Sequence, residues 1–214
     1  PDHHRDLLRS FVPMVEQGGA LPRWPLATWD GGFMVGVPAQ IVIAEALIKG
    51  IEDFDEQILI DKAVEMALTD TEYDYGNRPY PSYLDTYGYY PSDEVGRSVA
   101  WNLEAAIADH TLSLLDESLV DPADSAVLAA HAQTWRNLYD PAVGFFHARQ
   151  TDGTFETLGS ESVWADEYTE GNARQYLWLV PQDVPGLVDV LGGTAAAAAR
   201  LEEFFDNTVL YDDE

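Results

Sequence analysis

Residues 38–68, PAQIVIAEALIKGIEDFDEQILIDKAVEMAL, read as two helices in succession. Pro38 fits the first helical position, where its missing N–H is an orphan in any case. Gly50 fits the position just past the end, where a left-handed backbone turns the chain. Asp55 is then placed to cap a second helix over Glu56 to Leu68. The same grammar extends outward in both directions. Asp6 to Val15 sets Leu7, Leu8, Phe11, Val12 and Val15 at the spacing of an amphipathic helix, with Pro13 expected to kink it or to start a second one. Ser92 or Asp93 is expected to cap a long helix through Leu115, and Asp121 to open one that reaches about Leu138. TAAAAARLEEFF, residues 194–205, is helical by propensity alone. Strand alternation is confined to GFFHAR, residues 144–149, which with the following TDGT reads as a short hairpin. The expected fold class is therefore all-α: about seven or eight helices joined by long aromatic loops.

Composition narrows the function. The 214 residues are 46% hydrophobic, enough for a real core, but 11 Lys and Arg face 38 Asp and Glu, for a net charge of -27. That charge repels polyanions, so nucleic acid and anionic membrane surfaces are excluded as partners and a neutral or cationic ligand is favoured. The lysine-poor, acidic balance reads as adaptation to high salt. It predicts a melting temperature that climbs as molar salt shortens the screening length to ~3 Å, and a melting temperature indifferent to salt would remove the halophile reading. Cysteine is absent, which excludes disulfides and thiolate metal sites. No run approaches the ~20 apolar residues of a membrane span, so no membrane insertion is expected. The chain begins at Pro1 with no initiator methionine or signal peptide, as a piece from the middle of a longer protein would.

Most catalytic patterns are missing. His3 and His4 diverge on a helix, while His110, His131 and His147 are scattered, so no metal motif is read from them. GGFMVG lacks the Lys and Ser/Thr of a phosphate loop, and no G-x-S-x-G elbow occurs. Two aromatic loops remain. Residues 71–90, TEYDYGNRPYPSYLDTYGYY, hold seven tyrosines, whose rings and hydroxyls suit sugar faces or a self-packed lid. Residues 18–38, GGALPRWPLATWDGGFMVGVP, bring Arg23, Trp24, Trp29 and Asp30 between glycine turns. These are the ingredients of a neutral polar pocket, or of a structural clasp in which Arg23 pairs with a carboxylate and Trp24 fills the core.

One carboxylate stands apart. In DEYTEGNARQYLWLVPQDVPG, residues 166–186, Glu170 sits among Tyr168, Tyr176 and Trp178, with Trp164 just before. Thr169 could cap a helix beginning at Glu170, which would favour the anion by roughly 0.3–1 kcal/mol. Burial among the rings would oppose this far more strongly, by up to ~3–5 pKa units, and would keep the proton on. The structural alternative is an ordinary first-turn glutamate. Asp30 and Asp109 are weaker candidates for sugar contact, each being a common N-cap, turn or surface type.

Five blocks in order resemble glycoside hydrolase family 92, exo-acting α-mannosidases: LPRWP (21–25), GGFMVGVPAQIVIAEALIKGIEDFD (31–55), GYYPSDEVGRSVAWNLEAAIAD (88–109), NLYDPAVGFFHAR (137–149) and DEYTEGNARQYLWLVPQDVPGLVDVLGG (166–193). The YTEGNARQY-to-VPQDV block is the most specific. The resemblance implies part of an (α/α)6 barrel of helical hairpins, with an N-terminal β-sandwich and the rest of the barrel outside residues 1–214. It implies hydrolysis of terminal α-linked mannose with inversion, calcium as cofactor, mannose-containing glycans as substrate, and a secreted or cell-surface setting. It also implies Glu170 as general acid, Asn172 in the same active-site wall, and a base carboxylate downstream of Glu214, so that this stretch alone is expected to be inactive. Departures from the family pattern are Val37, where Asp or His is usual, TWDGG in place of an Asn-rich turn, and Gln182 within VPQD, where the family reads VPHD. The competing class is a carbohydrate-binding or scaffold relative that keeps the helices and has lost catalysis.

Overall fold

The computed structural model describes residues 2–26, 29–71 and 78–206 and is mostly helical. The opening pair forms as its punctuation predicts: α2 spans Pro38–Ile48, Gly50 turns the chain at φ 70°, and α3 spans Glu56–Leu68. Asp55 precedes α3 but does not cap it. Its own φ is 63°, and the Glu56 carboxylate takes the Phe54 amide instead, at 3.3 Å. Before this pair, α1 (Asp2–Gly18) runs unbroken through Pro13, with Leu8, Val12 and Val15 buried on both sides of the proline. That shared stripe against α3 outweighs the one backbone bond that proline removes. A two-residue ladder that alternation did not signal follows α1, pairing β1 (Pro25–Leu26) with β2 (Trp29–Asp30). The side chain of Trp29, like Tyr73 and Tyr75 of the tyrosine loop, lies outside the described residues. The rest of that loop contains a short helix, α4 (Ser82–Tyr87).

The long central helix, α5 (Ser98–Ser113), starts later than Ser92 or Asp93 would imply. Asp93 is engaged elsewhere: its carboxylate accepts the Thr151 amide at 2.9 Å and the Thr151 hydroxyl at 2.7 Å. Asp121 does cap α6 (Pro122–His131), accepting the Ala123 amide at 2.8 Å, but α6 stops at His131 and a 3₁₀ turn takes over at Thr134–Leu138. Thr134 explains the break, because its hydroxyl donates to the His131 carbonyl at 2.7 Å and accepts from Asn102 of α5 at 3.2 Å. Then β3 (Tyr139–Asp140) pairs with β4 (Phe145–Phe146), and a bridge from Arg149 to Phe155 spans the TDGT turn. The chain continues through α7 (Ala173–Tyr176), α8 (Val184–Val190) and α9 (Thr194–Asp206).

Much of the core is built around α5. Eleven of its sixteen residues are buried, so it is covered on all sides rather than along one stripe. Ala108 and Leu112 join a cluster with α1, α2, α3 and Leu128 of α6. Val99, Leu103 and Ala106 join a second cluster with Trp135, Phe146, Tyr168 and Leu177, and Trp101 and Ala105 a third with Leu84 and Tyr90. One polar knot is wholly enclosed. Arg78 donates to both oxygens of Asp109, at 2.7 and 3.0 Å, with neither side chain exposed, and also to the Ala67 carbonyl at the end of α3. Gln40 of α2 donates to Asp109 at 3.4 Å, and His131 of α6 faces it at 3.6 Å while contacting Asp85 at 2.9 Å. Asp109 thus holds four helices in register and is a structural anion rather than a sugar contact. Among the described residues, no helix is long and apolar enough to cross a membrane.

Candidate functional site

The loop between α1 and α2, the start of α5 and the segment before α7 enclose a cleft of about 540 Å³. Trp24, Phe33 and Met34 form one wall, Arg97 sits at the α5 end, and the run from Trp164 to Gly171 supplies Trp164, Asp166 and Glu170 opposite. Trp24 and Glu170, singled out from two separate stretches, line the same cavity. Both tryptophans are partly exposed, 46% at Trp24 and 56% at Trp164. Of five non-glycine residues with left-handed φ among the described residues, three lie here: Met34 (65°), Arg97 (58°) and Glu170 (51°). Each such residue costs on the order of 1–2 kcal/mol, and such strain concentrates where function demands it. A second cavity of about 480 Å³, between α9 and Arg174 and Trp178, has none of the strained residues, and its lining carries the Arg174 pairs with Glu161 and Glu203. The Trp24–Glu170 cleft is the better candidate.

Glu170 is placed by its neighbours. It neither begins a helix capped by Thr169 nor is buried among the aromatic rings. It is exposed on a left-handed turn, and the cap of α7 is Asn172. The Asn172 side chain accepts the Gln175 amide, the Gln175 side chain accepts the Asn172 amide, both at 3.1 Å, and Asn172 also donates to the Ser162 carbonyl at 3.0 Å. Gly171 must be glycine, since a Cβ there would come within 2.9 Å of the Tyr176 ring. The Tyr176 hydroxyl accepts the Thr169 amide at 3.1 Å and donates to the Thr169 carbonyl at 2.8 Å, fixing the residue before Glu170. Tyr168, buried, donates its hydroxyl to the Phe146 carbonyl at 2.7 Å.

His147 clamps the same segment. Its Nδ1 meets the Glu167 carboxylate at 3.1 Å and its Nε2 the Glu156 carbonyl at 2.6 Å, and since both partners only accept, both nitrogens carry protons. Burial alone would push the imidazole pKa down, but Glu167 and the Glu156 carbonyl reverse this and raise it. A raised folded-state pKa contributes stability that is full below the ordinary value of ~6.5 and is lost as pH rises through the folded value. The melting temperature of the intact protein is therefore expected to fall as pH rises above ~6.5, and His147→Gln to flatten that slope. Thermal melts of the pair across this range, with equal slopes, would show that the clamp does not titrate.

Arg23, Asp30 and Asn172 stand behind the cleft wall and are not among its lining residues. Arg23 is buried, donates from Nε to the Gly36 carbonyl at 2.8 Å and lies 4.7 Å over the Trp101 ring. Asp30 accepts the amides of Arg23 (2.8 Å), Trp24 (2.9 Å) and Gly32 (2.9 Å). Partial burial would raise its carboxyl, but those three amides, from Gly32, Trp24 and Arg23, hold it below the ordinary value. The clasp alternative fails at its tryptophan: Trp24 does not fill the core but lies half-exposed on the cleft, while the Asp30 carboxylate pairs with backbone amides. Val37 is buried in the first cluster, and Asp183 of VPQD caps α8 through the Gly186 amide at 2.9 Å while pairing with Arg136 at 2.6 Å. Arg97 and Asp166 were not singled out by sequence, where Arg97 falls inside an expected helix. Among the described residues, no three His, Asp or Glu side chains converge to hold a metal ion.

Comparison with known proteins gives the site its context. The family model for the glycosyl hydrolase family 92 catalytic domain matches residues 1–213. An uncharacterized secreted glycosidase of Arthroderma benhamiae is 26% identical over 96% of this chain. Among solved structures, an inverting mannosidase of family GH92 from Bacteroides thetaiotaomicron superposes with a TM-score of 0.87, at 26% identity over 95% of the chain. An α-mannosidase of the same family and organism gives 0.84, also at 26% over 95%. The chain spans 31% of the length of the Arthroderma protein and 28% and 27% of the two Bacteroides chains.

Proposed function

We propose, from the premise that this chain belongs to glycosyl hydrolase family 92, that the protein containing it is an inverting exo-α-mannosidase with Glu170 as general acid. The observation that carries this reading is the cleft: an exposed carboxyl in a cavity lined by two partly exposed tryptophans, on backbone its neighbours hold in a sparsely populated conformation. Tryptophan faces cover the apolar C–H face of a sugar, and the loss of exposed aromatic area on binding would favour that contact. Glu170 then stands where a glycosidic oxygen can reach it. Inversion needs a second carboxylate, about 6.5–9.5 Å from the first, to activate water on the opposite face of the ring. We assign that base, and any calcium ligands, to parts of the protein beyond these residues. The helices would form part of an (α/α)6 barrel, and the relation to the Arthroderma protein supports secretion.

The test is the stereochemistry of the product. Incubating the intact protein with a terminal α-mannoside and following the anomeric proton by NMR is expected to show β-mannose first, with α-mannose appearing only by mutarotation. Release of α-mannose first would defeat the inverting mechanism. Binding of mannosides without any release would instead make this a carbohydrate-binding relative.

A further inference from the structure

We propose that His147 is a positioning residue for Glu170: its doubly protonated ring holds the segment before Glu170 in the geometry from which the proton is delivered, a role that rests on the mannosidase reading. Glu170 follows three successive residues that are each tied down. Glu167 is held by His147, Tyr168 by its hydroxyl on the Phe146 carbonyl, and Thr169 by both bonds to the Tyr176 hydroxyl. The Glu167 carbonyl also accepts the Ala100 amide of α5, at 3.2 Å. Burial pushes the Tyr168 and Tyr176 hydroxyls above the ordinary ~10, so both keep their protons through the neutral range. Of these ties, only the one between His147 and Glu167 can be undone near neutral pH.

The surroundings of the ring say how it would be undone. A neutral imidazole has one N–H, so losing a proton sets a lone pair against either the Glu167 carboxylate or the Glu156 carbonyl. The carbonyl cannot turn away, because the Glu156 amide is tied to the Ala148 carbonyl at 3.0 Å. The Glu167 side chain, 11% exposed, can swing out to water, so it is the contact that gives. Phe155 lies parallel to the ring with centroids 6.2 Å apart, and Arg149 stacks on that Phe155 at 5.1 Å while donating to the Gly153 and Asn137 carbonyls. Burial opposes a charged ring, but Glu167 foremost, then the Glu156 carbonyl and Asp140 of β3, outweigh it. The ring therefore gives up its proton above the ordinary ~6.5, and with it the tie that keeps the start of the Glu170 turn in place.

The experiment follows kcat of the intact protein and of His147→Gln from about pH 5 to about pH 9 on two substrates, an alkyl α-mannoside and a dinitrophenyl α-mannoside. At the acid end the substitution is expected to slow the alkyl mannoside on the order of tenfold, short of the 10²–10⁴-fold that loss of the acid itself would cost, and to spare the dinitrophenyl substrate, which needs no proton. The ratio of wild-type to variant rates on the alkyl mannoside should then fall toward one as pH rises above ~6.5. A ratio that stays constant with pH, or equal slowing of the two substrates, would make His147 a part of the fold alone and overturn the proposal. A second measurement needs neither the variant nor turnover: amide hydrogen exchange of the intact wild type, corrected for the intrinsic effect of pH on exchange. Protection of residues 164–171 is expected to fall about tenfold across the same rise in pH while that of α5 holds. Such a fall supports the clamp even if no mannoside is hydrolysed, in which case it is the mannosidase reading that fails; flat protection overturns the clamp even in an active mannosidase.

Discussion

Glu170→Gln in the intact protein is expected to lower kcat on natural mannosides by about 10²–10⁴-fold while leaving turnover of substrates with a good leaving group far less affected. Gln keeps the length of the side chain and can hydrogen-bond the glycosidic oxygen, but it has no proton to give. The turn that carries Glu170 depends on the Asn172–Gln175 capping box, the Gly171–Tyr176 contact and the Tyr176–Thr169 hydrogen bonds, none of which uses the Glu170 carboxyl. The substitution should therefore leave the backbone in place. An alkyl or sugar leaving group needs protonation as the bond breaks, whereas a dinitrophenolate leaves unaided, so the gap between the two substrates isolates the acid step. Steady-state kinetics on both decide the matter. Equal slowing of the two would make Glu170 a positioning residue.

Asp109→Asn is expected to destabilise the protein by about 3–5 kcal/mol, the cost of leaving a buried charge without its partner. Asn occupies the same space, so the loss measures charge rather than a cavity. Burial alone would raise the Asp109 carboxyl, but Arg78 first and His131 second hold it below the ordinary range, which means the anion is the form the fold stabilises. A lowered folded-state pKa contributes stability that is present above the ordinary value of ~3.9 and is lost as pH falls through the folded value, so acid should erode this contribution and alkali should not. Arg78→Met added to Asp109→Asn should recover part of the loss, because no unpaired cation then remains. Urea denaturation of the single and double variants measures this. A double variant no more stable than Asp109→Asn would mean that the Arg78 contact with Ala67, rather than the ion pair, is what the fold needs.

Local punctuation made most of the helices legible. Pro38 and Gly50 bracket α2 because each satisfies a need of the helix end itself, and Asp121 caps α6 for the same reason. Asp93 and Ser92 misled because cap residues are equally good at holding loops, and here a contact 58 positions away, to Thr151, takes Asp93. At the site, Trp24 and Glu170 could each be singled out from an aromatic setting, yet the direction of Arg23 and Asp30 could not. Nothing local states whether a guanidinium points at a ligand or at the Gly36 carbonyl beneath the loop. Left-handed backbone at Met34, Arg97 and Glu170 was equally hidden, since these side chains disfavour it and only the surrounding packing imposes it.

Because all three apolar clusters include residues of α5, the clusters cannot open independently at that helix. Loss of the α1–α3 packing would still leave Val99, Leu103 and Ala106 covered, and loss of the Trp135–Phe146 packing would still leave Ala108 and Leu112 covered. Its amides should accordingly be the slowest in the chain to exchange with deuterium, released only when the whole unit unfolds.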